Sequence, residues 1–132
     1  MSKRSQIISS FVTHIETTTA YTGFRGLRFL HEINTFPSFY IHVRGESRKH
    51  NSAGSKLAII SLDVRGYGWS DELNVIETIV RDLERAVATY RPQHKHLVHE
   101  ARVISLRTDE QAMEPYCICD MSVEILYGID ND

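Results

Sequence analysis

Long hydrophobic runs are absent from this sequence. Its longest unbroken apolar stretches, such as residues 57–60, are far shorter than the roughly 18 residues that a membrane span needs. Lys3 and Arg4 resemble the start of a secretory signal, but serine, threonine and histidine interrupt the apolar segment that should follow. We therefore expect a protein that folds in the cytoplasm and makes no contact with a membrane.

Cysteine and net charge are also scarce. The only two cysteines, Cys117 and Cys119, lie two positions apart on a predicted strand, a spacing that suits a disulfide poorly. The 15 Lys and Arg residues nearly balance the 17 Asp and Glu residues, so the net charge of −2 gives no global basic field for nucleic acid. With 42% hydrophobic and 24% charged residues, the chain is of ordinary globular composition. Its 132 residues predict a single domain, residues 1–132.

The first 34 residues predict one helix and an irregular connection. Apolar residues recur with helical spacing over residues 3–16, and Ser2 or Ser5 is available as the N-cap. Residues 17–34 begin with three β-branched threonines and contain two glycines, which favours an irregular or partly extended segment.

The middle of the chain predicts a hairpin followed by a second helix. Alternating apolar residues predict strands at 39–44 and 57–65, separated by the polar run 46–55. We expect this run to form a long mobile arm at about 45–56. The glycine-rich segment 66–69 predicts a tight turn, and a continuous apolar stripe at 73–90 predicts a helix that Ser70 or Asp71 caps and Pro92 stops.

The last third predicts two more strands, at 98–106 and 118–127, joined by a charged loop at 107–115. The order helix, strand, strand, helix, strand, strand predicts an α+β fold, with a mostly antiparallel sheet of four or slightly more strands and two helices on one face. The other face of the sheet is too polar for a second core, because it carries Tyr40, His42, Ser61 and Asp63.

Three segments are candidates for contacts with other proteins. The arm has a local charge of +3, the glycine-rich turn holds two aromatic residues, and the charged loop is expected to be exposed. The predicted interface residues are Arg44, Arg48, Lys49 and Lys56 in the arm, Tyr67 and Trp69 in the turn, and Arg107, Asp109 and Glu110 in the loop. No aromatic side chain lies within the arm to stack on bases.

No catalytic motif or phosphate-binding loop is present in the sequence, and we predict no catalytic residues, no cofactor and no bound metal. A zinc site remains the alternative, because His94, His96 and His99 form a cluster that could join Cys117 and Cys119. Exposed histidines in a turn are the simpler explanation.

The order of elements and several short segments resemble the tail terminator proteins of tailed bacteriophages. The resemblance runs from about residue 36 to residue 127, with a matching N-terminal helix. It is carried by FPSFYI at 36–41, IISLDV at 59–64, DEL at 71–73, RVIS at 102–105, RTDE at 107–110 and DMSVEILY at 120–127.

The resemblance implies a structural virion protein of the tail and neck rather than an enzyme. Proteins of this family form a ring of six copies on the head-proximal end of the tail tube, stop tube polymerisation and present their other face to the neck. The implied partners are further copies of the chain, the tail tube protein, a neck or connector protein, and DNA that passes through the lumen without specific binding. Alternatives are another head-tail joining component of the same fold, a small enzyme or metal-binding domain, and a nucleic-acid binder acting through the arm.

Overall fold

A computed structural model describes residues 2–25, 36–50, 56–69, 73–109 and 117–129. The described elements are two helices and five strands, namely α1 (Lys3–Thr19), β1 (Thr22–Arg25), β2 (Ser38–His50), β3 (Lys56–Gly68), α2 (Leu73–Gln93), β4 (Glu100–Asp109) and β5 (Cys117–Gly128). Neither helix is long and apolar enough to cross a membrane.

The strands form one mixed sheet in the order β1-β2-β3-β5-β4. All neighbours are antiparallel except β1 and β2, which are parallel. The predicted α+β fold with a mostly antiparallel sheet is confirmed. The strand β1 lies where an irregular or partly extended connection was predicted. It has only four residues and so carries no alternation of its own, and its extended form comes from pairing with β2.

Both helices cover the same face of the sheet, as predicted. In β5 every second residue from Cys117 to Tyr127 is buried, and in β3 the same alternation runs from Ala58 to Val64. These side chains join the buried residues of α1 and α2 in one apolar core. Burial of this single layer supplies the main driving force for folding.

Several predicted boundaries were wrong. The helix α1 continues to Thr19 because its last turns are closed by side-chain and cap hydrogen bonds, including one from Thr19 Oγ1 to the Ile15 carbonyl at 2.7 Å. The strands β2 and β3 include residues 45–50 and 56 of the predicted arm, and residues 51–55 lie outside the described residues. The strand β3 also runs on to Gly68, so the tight turn predicted at 66–69 is strand.

The helix α2 lies directly on the backbone of β3. A methyl group added at Gly66 would come within 2.8 Å of Leu83 Cδ1, 2.9 Å of Ile79 Cγ2 and 3.0 Å of Cys119 Sγ. The absence of a side chain at this position therefore sets how closely α2 approaches the sheet. The predicted caps Ser70 and Asp71 lie outside the described residues, and α2 ends at Gln93, one residue beyond Pro92.

We expect Gly66→Ala to destabilise the fold, because the added methyl group must push apart buried groups of α2 and β5. The cost should be about 1–3 kcal/mol in the free energy of unfolding. Urea denaturation followed by circular dichroism measures it. The matched control is Gly45→Ala, where no atom lies within 4 Å of the added methyl group. Equal stability of the two variants would contradict the close packing of α2.

Candidate functional site

The face of the sheet opposite the helices is the candidate functional surface, and we call it the open face. The register of β2 and β3 places His42 opposite Asp63, and Tyr40 opposite Arg65. Ser61 and Asp63 alternate with the buried residues of β3. The prediction that these polar residues share one face is therefore confirmed.

Ion pairs connect neighbouring strands across the open face. Arg65 Nη2 lies 2.8 Å from Asp120 Oδ2, Arg44 Nε lies 3.2 Å from Asp63 Oδ1, and Arg102 Nη2 lies 3.3 Å from Glu124 Oε1. Each of the three arginines faces a carboxylate on an adjacent strand, so the face carries many charges and little net charge.

An aromatic cluster covers one end of the open face. The rings of Tyr40 and Tyr67 are stacked with their centroids 6.1 Å apart, and the Arg65 guanidinium lies 5.7 Å from the Tyr40 centroid. Phe24, Phe36 and Ile118 pack around the two tyrosines. Burial raises the pKa of Tyr67 to about 12, so its hydroxyl stays neutral. At 2% exposure Tyr67 is buried within its own chain, and the prediction that it is available for subunit contact is wrong.

The basic residues of the predicted arm are partly neutralised. Arg44 is the extra residue at a register shift in β2 and pairs with Asp63, whereas Arg48 pairs with Glu46 at 2.9 Å. Lys56 is exposed at the first position of β3. Lys49 belongs to β2, but its side chain lies outside the described part of the chain. The local charge of +3 already includes Glu46, so it is the contact of Arg44 with Asp63, a residue outside the arm, that lowers the positive charge below the value expected from composition.

Glu46 connects the hairpin to the rest of the protein. Its carboxylate accepts a hydrogen bond from the Tyr127 hydroxyl at 2.6 Å and lies 3.7 Å from Arg4 Nε of α1. Burial, followed by the hydrogen bond to Glu46, raises the pKa of Tyr127 to about 12. These contacts attach to the core a segment that was predicted to be a mobile arm.

Trp69 is exposed, as expected for a contact residue. It follows β3, is 57% exposed, and its ring centroid lies 5.4 Å from that of Phe36. The two rings border an apolar pocket of about 340 Å³, which we call the Trp69 pocket. Its remaining lining residues are Tyr21, Pro37, Gly68, Val75, Thr78 and Ile79.

The predicted loop residues fall on an edge strand. Arg107 and Asp109 belong to β4 and pair in register with Asp120 and Ile118, so they are strand residues and not loop residues. The Arg107 side chain is exposed, whereas that of Asp109 lies beyond the described side chains. Glu110 lies outside the described residues.

The structure separates the residues of the alternative zinc site. Cys117 and Cys119 are buried near the start of α2, where burial raises the pKa of the Cys119 thiol to about 12. His94 follows the other end of α2, about 22 Å further along the helix from Ile79, which lies beside the same two glycines, Gly66 and Gly68, as the cysteines. Within the described ranges, no group of three His, Cys, Asp or Glu side chains could hold a metal ion. A shared zinc site of these histidines and cysteines is therefore wrong.

His14 occupies a polar groove between the two helices that the sequence did not indicate. Its Nε2 donates a hydrogen bond to the Ala86 carbonyl of α2 at 2.9 Å, and its ring lies edge-on to His94 with centroids 5.4 Å apart. Burial lowers the pKa of His14 from its ordinary value of 6.5, and the nearby His94 lowers it further. The neutral ring therefore helps to join α1 to α2.

Comparison with known proteins gives a structural likeness and no match at the level of sequence. No protein-family model and no curated protein match the sequence. A chain of a solved structure described as the virion of a native gene transfer agent particle is similar, with a TM-score of 0.57 and 5% sequence identity. The likeness covers 87% of this chain and 84% of that chain. At this identity it shows that the two chains share a fold.

We expect the protein to lose stability as the pH falls below about 6.5, because the unfolded chain then takes up a proton that folded His14 resists. The loss continues down to the lowered pKa of the folded state. His14→Gln keeps an amide donor for the Ala86 carbonyl but does not titrate. Urea denaturation at pH 7.5 and 5.5 should show a smaller pH effect for this variant than for the wild type. His42→Gln on the open face is the control, and an equally reduced effect there would contradict the assignment.

We also expect the paired carboxylates to prevent DNA binding by the open face. The double variant Asp63→Asn, Glu124→Gln releases Arg44 and Arg102 from their partners, and it should retard duplex DNA at low salt where the wild type does not. Two freed cations predict a salt slope of about −1.8 in log K against log salt. The control Glu77→Gln, Glu84→Gln makes the same change in net charge on exposed positions of α2. Equal DNA binding by both variants would show that only net charge matters.

Proposed function

We propose that this chain is a structural virion protein that forms a ring on the head-proximal end of a phage-type tail tube. The ring, of six copies, ends tube polymerisation and forms the joint to the head or neck. The proposal assigns the chain an assembly role and no catalytic one. Its location is then the tail or neck of the virion, and its partners are other copies of itself, the tail tube protein and a neck or connector protein.

One observation carries the proposal. The chain shares its fold, over most of its length, with a chain of a gene transfer agent virion. A fold alone does not determine function. The proposal gains support because the sequence segments that resemble tail terminators, from residue 36 to residue 127, include β2, β3 and β5, the three central strands of this sheet.

The open face suits the wall of a channel that DNA passes through. A wall that binds DNA tightly would hold phosphates by unpaired lysines and arginines. On the open face, Arg44, Arg65 and Arg102 each face a carboxylate on a neighbouring strand, and the arginine without a salt bridge in the described part of this face, Arg107, lies at its edge on β4. The proposed orientation therefore turns this hydrated face towards the lumen and leaves the edges of the sheet for contacts between copies.

A second candidate is another component of the head-tail joint. It is favoured by the description of the similar virion chain, which names the whole particle and no part of the tail. The two candidates differ in their partner. A terminator binds the end of the tail tube, whereas a joining component that is not a terminator binds only on the head side.

The test is the length distribution of tails in lysates produced with and without this gene product, measured by negative-stain electron microscopy. We expect overlong, headless tails in its absence, because nothing then stops tube growth. Supplying the wild-type chain in trans should restore uniform tails, and this is the control for indirect effects of the deletion.

Other outcomes separate the alternatives. Tails of normal length that stay detached from heads would favour the joining component, and purified chain should then bind the portal side and never the tube. Unchanged particles, or lysates that contain no phage-type particles, would overturn the proposed function.

A further inference from the structure

Large exposed apolar side chains are confined to two places among the described residues. Trp69 is 57% exposed beside the Trp69 pocket, and Ile104 and Leu106 are 50% and 38% exposed on β4. A single exposed apolar side chain is common on protein surfaces, but one that borders an apolar pocket, or two that lie together on an edge strand, form a patch of the kind that marks a contact with another protein. The two places are therefore candidates for the two sides of one contact.

The strand β4 is built as an exposed edge. It has ten residues and pairs only with β5 in the described sheet, so its outer backbone groups face away from the sheet. A register shift between Val103 and Ser105 leaves Ile104 without an opposite residue. A long edge strand with apolar side chains is a ready contact for another chain. We call Ile104, Leu106 and the outer edge of β4 the β4 edge.

The β4 edge and the Trp69 pocket cannot meet within one molecule. The pocket is formed where β2 begins and β3 ends, whereas β4 is the last strand on the opposite side of the sheet. Two strand spacings, about 10 Å, separate β4 from β3, and Leu106 lies level with Val64, about 13 Å along β3 from Gly68 in the pocket. The helix α2, whose Val75, Thr78 and Ile79 form one wall of the pocket, packs over the strands between them. A second copy of the chain can bring them together.

Shape and charge favour that second copy. The pocket is apolar and open, and its size suits branched side chains such as those of Ile104 and Leu106. Beside Leu106, the exposed Arg107 has no ion-pair partner among the described residues. On the pocket side, the Tyr21 hydroxyl donates to Asp82 Oδ2 at 2.6 Å, which places a carboxylate next to the lining.

We propose that the β4 edge of one copy packs into the Trp69 pocket of the next copy. The contact joins different surfaces of the two chains, so a pair keeps one free edge on one copy and one free pocket on the other. Repeating it produces a closed ring or an open filament. The inference rests on the proposed function for its choice of a ring, but the contact itself is a property of the purified chain.

The test is self-association of the purified full chain, measured by sedimentation velocity and light scattering. The wild type should form oligomers larger than a dimer. Trp69→Glu places a charge at the pocket, and Ile104→Asp places a charge on the β4 edge. Each variant should weaken self-association at least about 30-fold, as expected for loss of a central aromatic or aliphatic contact. Thr13→Asp, which adds the same charge at an exposed position of α1 outside both surfaces, is the control and should assemble normally.

Mixing the two variants gives the sharper result. Trp69→Glu retains an intact β4 edge and Ile104→Asp retains an intact pocket, so an equimolar mixture should form heterodimers that grow no further. Circular dichroism verifies that each variant is folded. If Ile104→Asp does not fold, Leu106→Lys replaces it.

Several outcomes would overturn the contact. These are normal assembly of both variants, a mixture that stays monomeric while the wild type assembles, or a wild type that stays monomeric up to about 1 mM, where even weak association is visible. The proposed function is judged separately. Assembly through the β4 edge together with unchanged tails would support the contact and reject the terminator role. Overlong tails in the absence of the chain, together with normal assembly of both variants, would support the terminator role and reject the contact.

Discussion

The close contact between α2 and the backbone of β3 constrains the rest of the structure. At Gly66 there is no room for a methyl group, because side chains of Leu83, Ile79 and Cys119 already fill the space. Because α2 packs against β3 at Gly66, the alternating side chains of β3 and β5 are buried beneath the helices on a single face of the sheet. A domain of this size then has one apolar layer, and the second face of the sheet must be satisfied by other means.

The second face of the sheet is stabilised by pairs of opposite charges instead of apolar packing. An isolated charge on a partly buried sheet loses hydration, whereas a cross-strand pair regains part of that free energy and also favours the correct register. Arg65 is the most enclosed case, since it lies against the Tyr40 ring and pairs with Asp120 at 2.8 Å. The same pairing that stabilises the sheet limits the attraction of the face for polyanions. Both the stability of the sheet and the proposed passage of DNA therefore require that these arginines be paired with carboxylates.

The sequence predicts best those elements whose own residues repeat. The stripe of α2 and the alternation of β5 belong to long, amphipathic segments, so their burial follows from spacing alone. The strand β1 could not be predicted, because its four residues become extended only by pairing with β2. The outer part of the β2–β3 hairpin was not predicted to be strand for a related reason. Glu46 looks like a solvated residue in a polar run, but Tyr127, 81 positions later, gives it a buried partner.

The residues of the candidate site show the same difference between features that follow from local sequence and features that depend on distant contacts. The polarity of the open face followed from alternation, whereas the burial of Tyr67 depends on Tyr40, Phe24 and Phe36, which reach it through the sheet and not through local sequence. Composition also predicted a basic arm, since it counts cations and cannot show that Arg44 faces Asp63. Contacts between residues far apart in the chain decide which charges remain available.

The edges of the sheet are the surfaces that remain for assembly. One face is core, and the other is hydrated and internally paired, so extensive apolar contact with another copy is left to the strand edges and the ends of the sheet. A five-stranded sheet is about 24 Å wide at ~4.8 Å per strand. Six such sheets joined edge to edge would have a circumference of about 145 Å and hence a diameter of about 45 Å at the level of the strands. A ring built through the edges and ends of the sheets would therefore have room for an open channel, whereas association through the open faces would bury the paired charges.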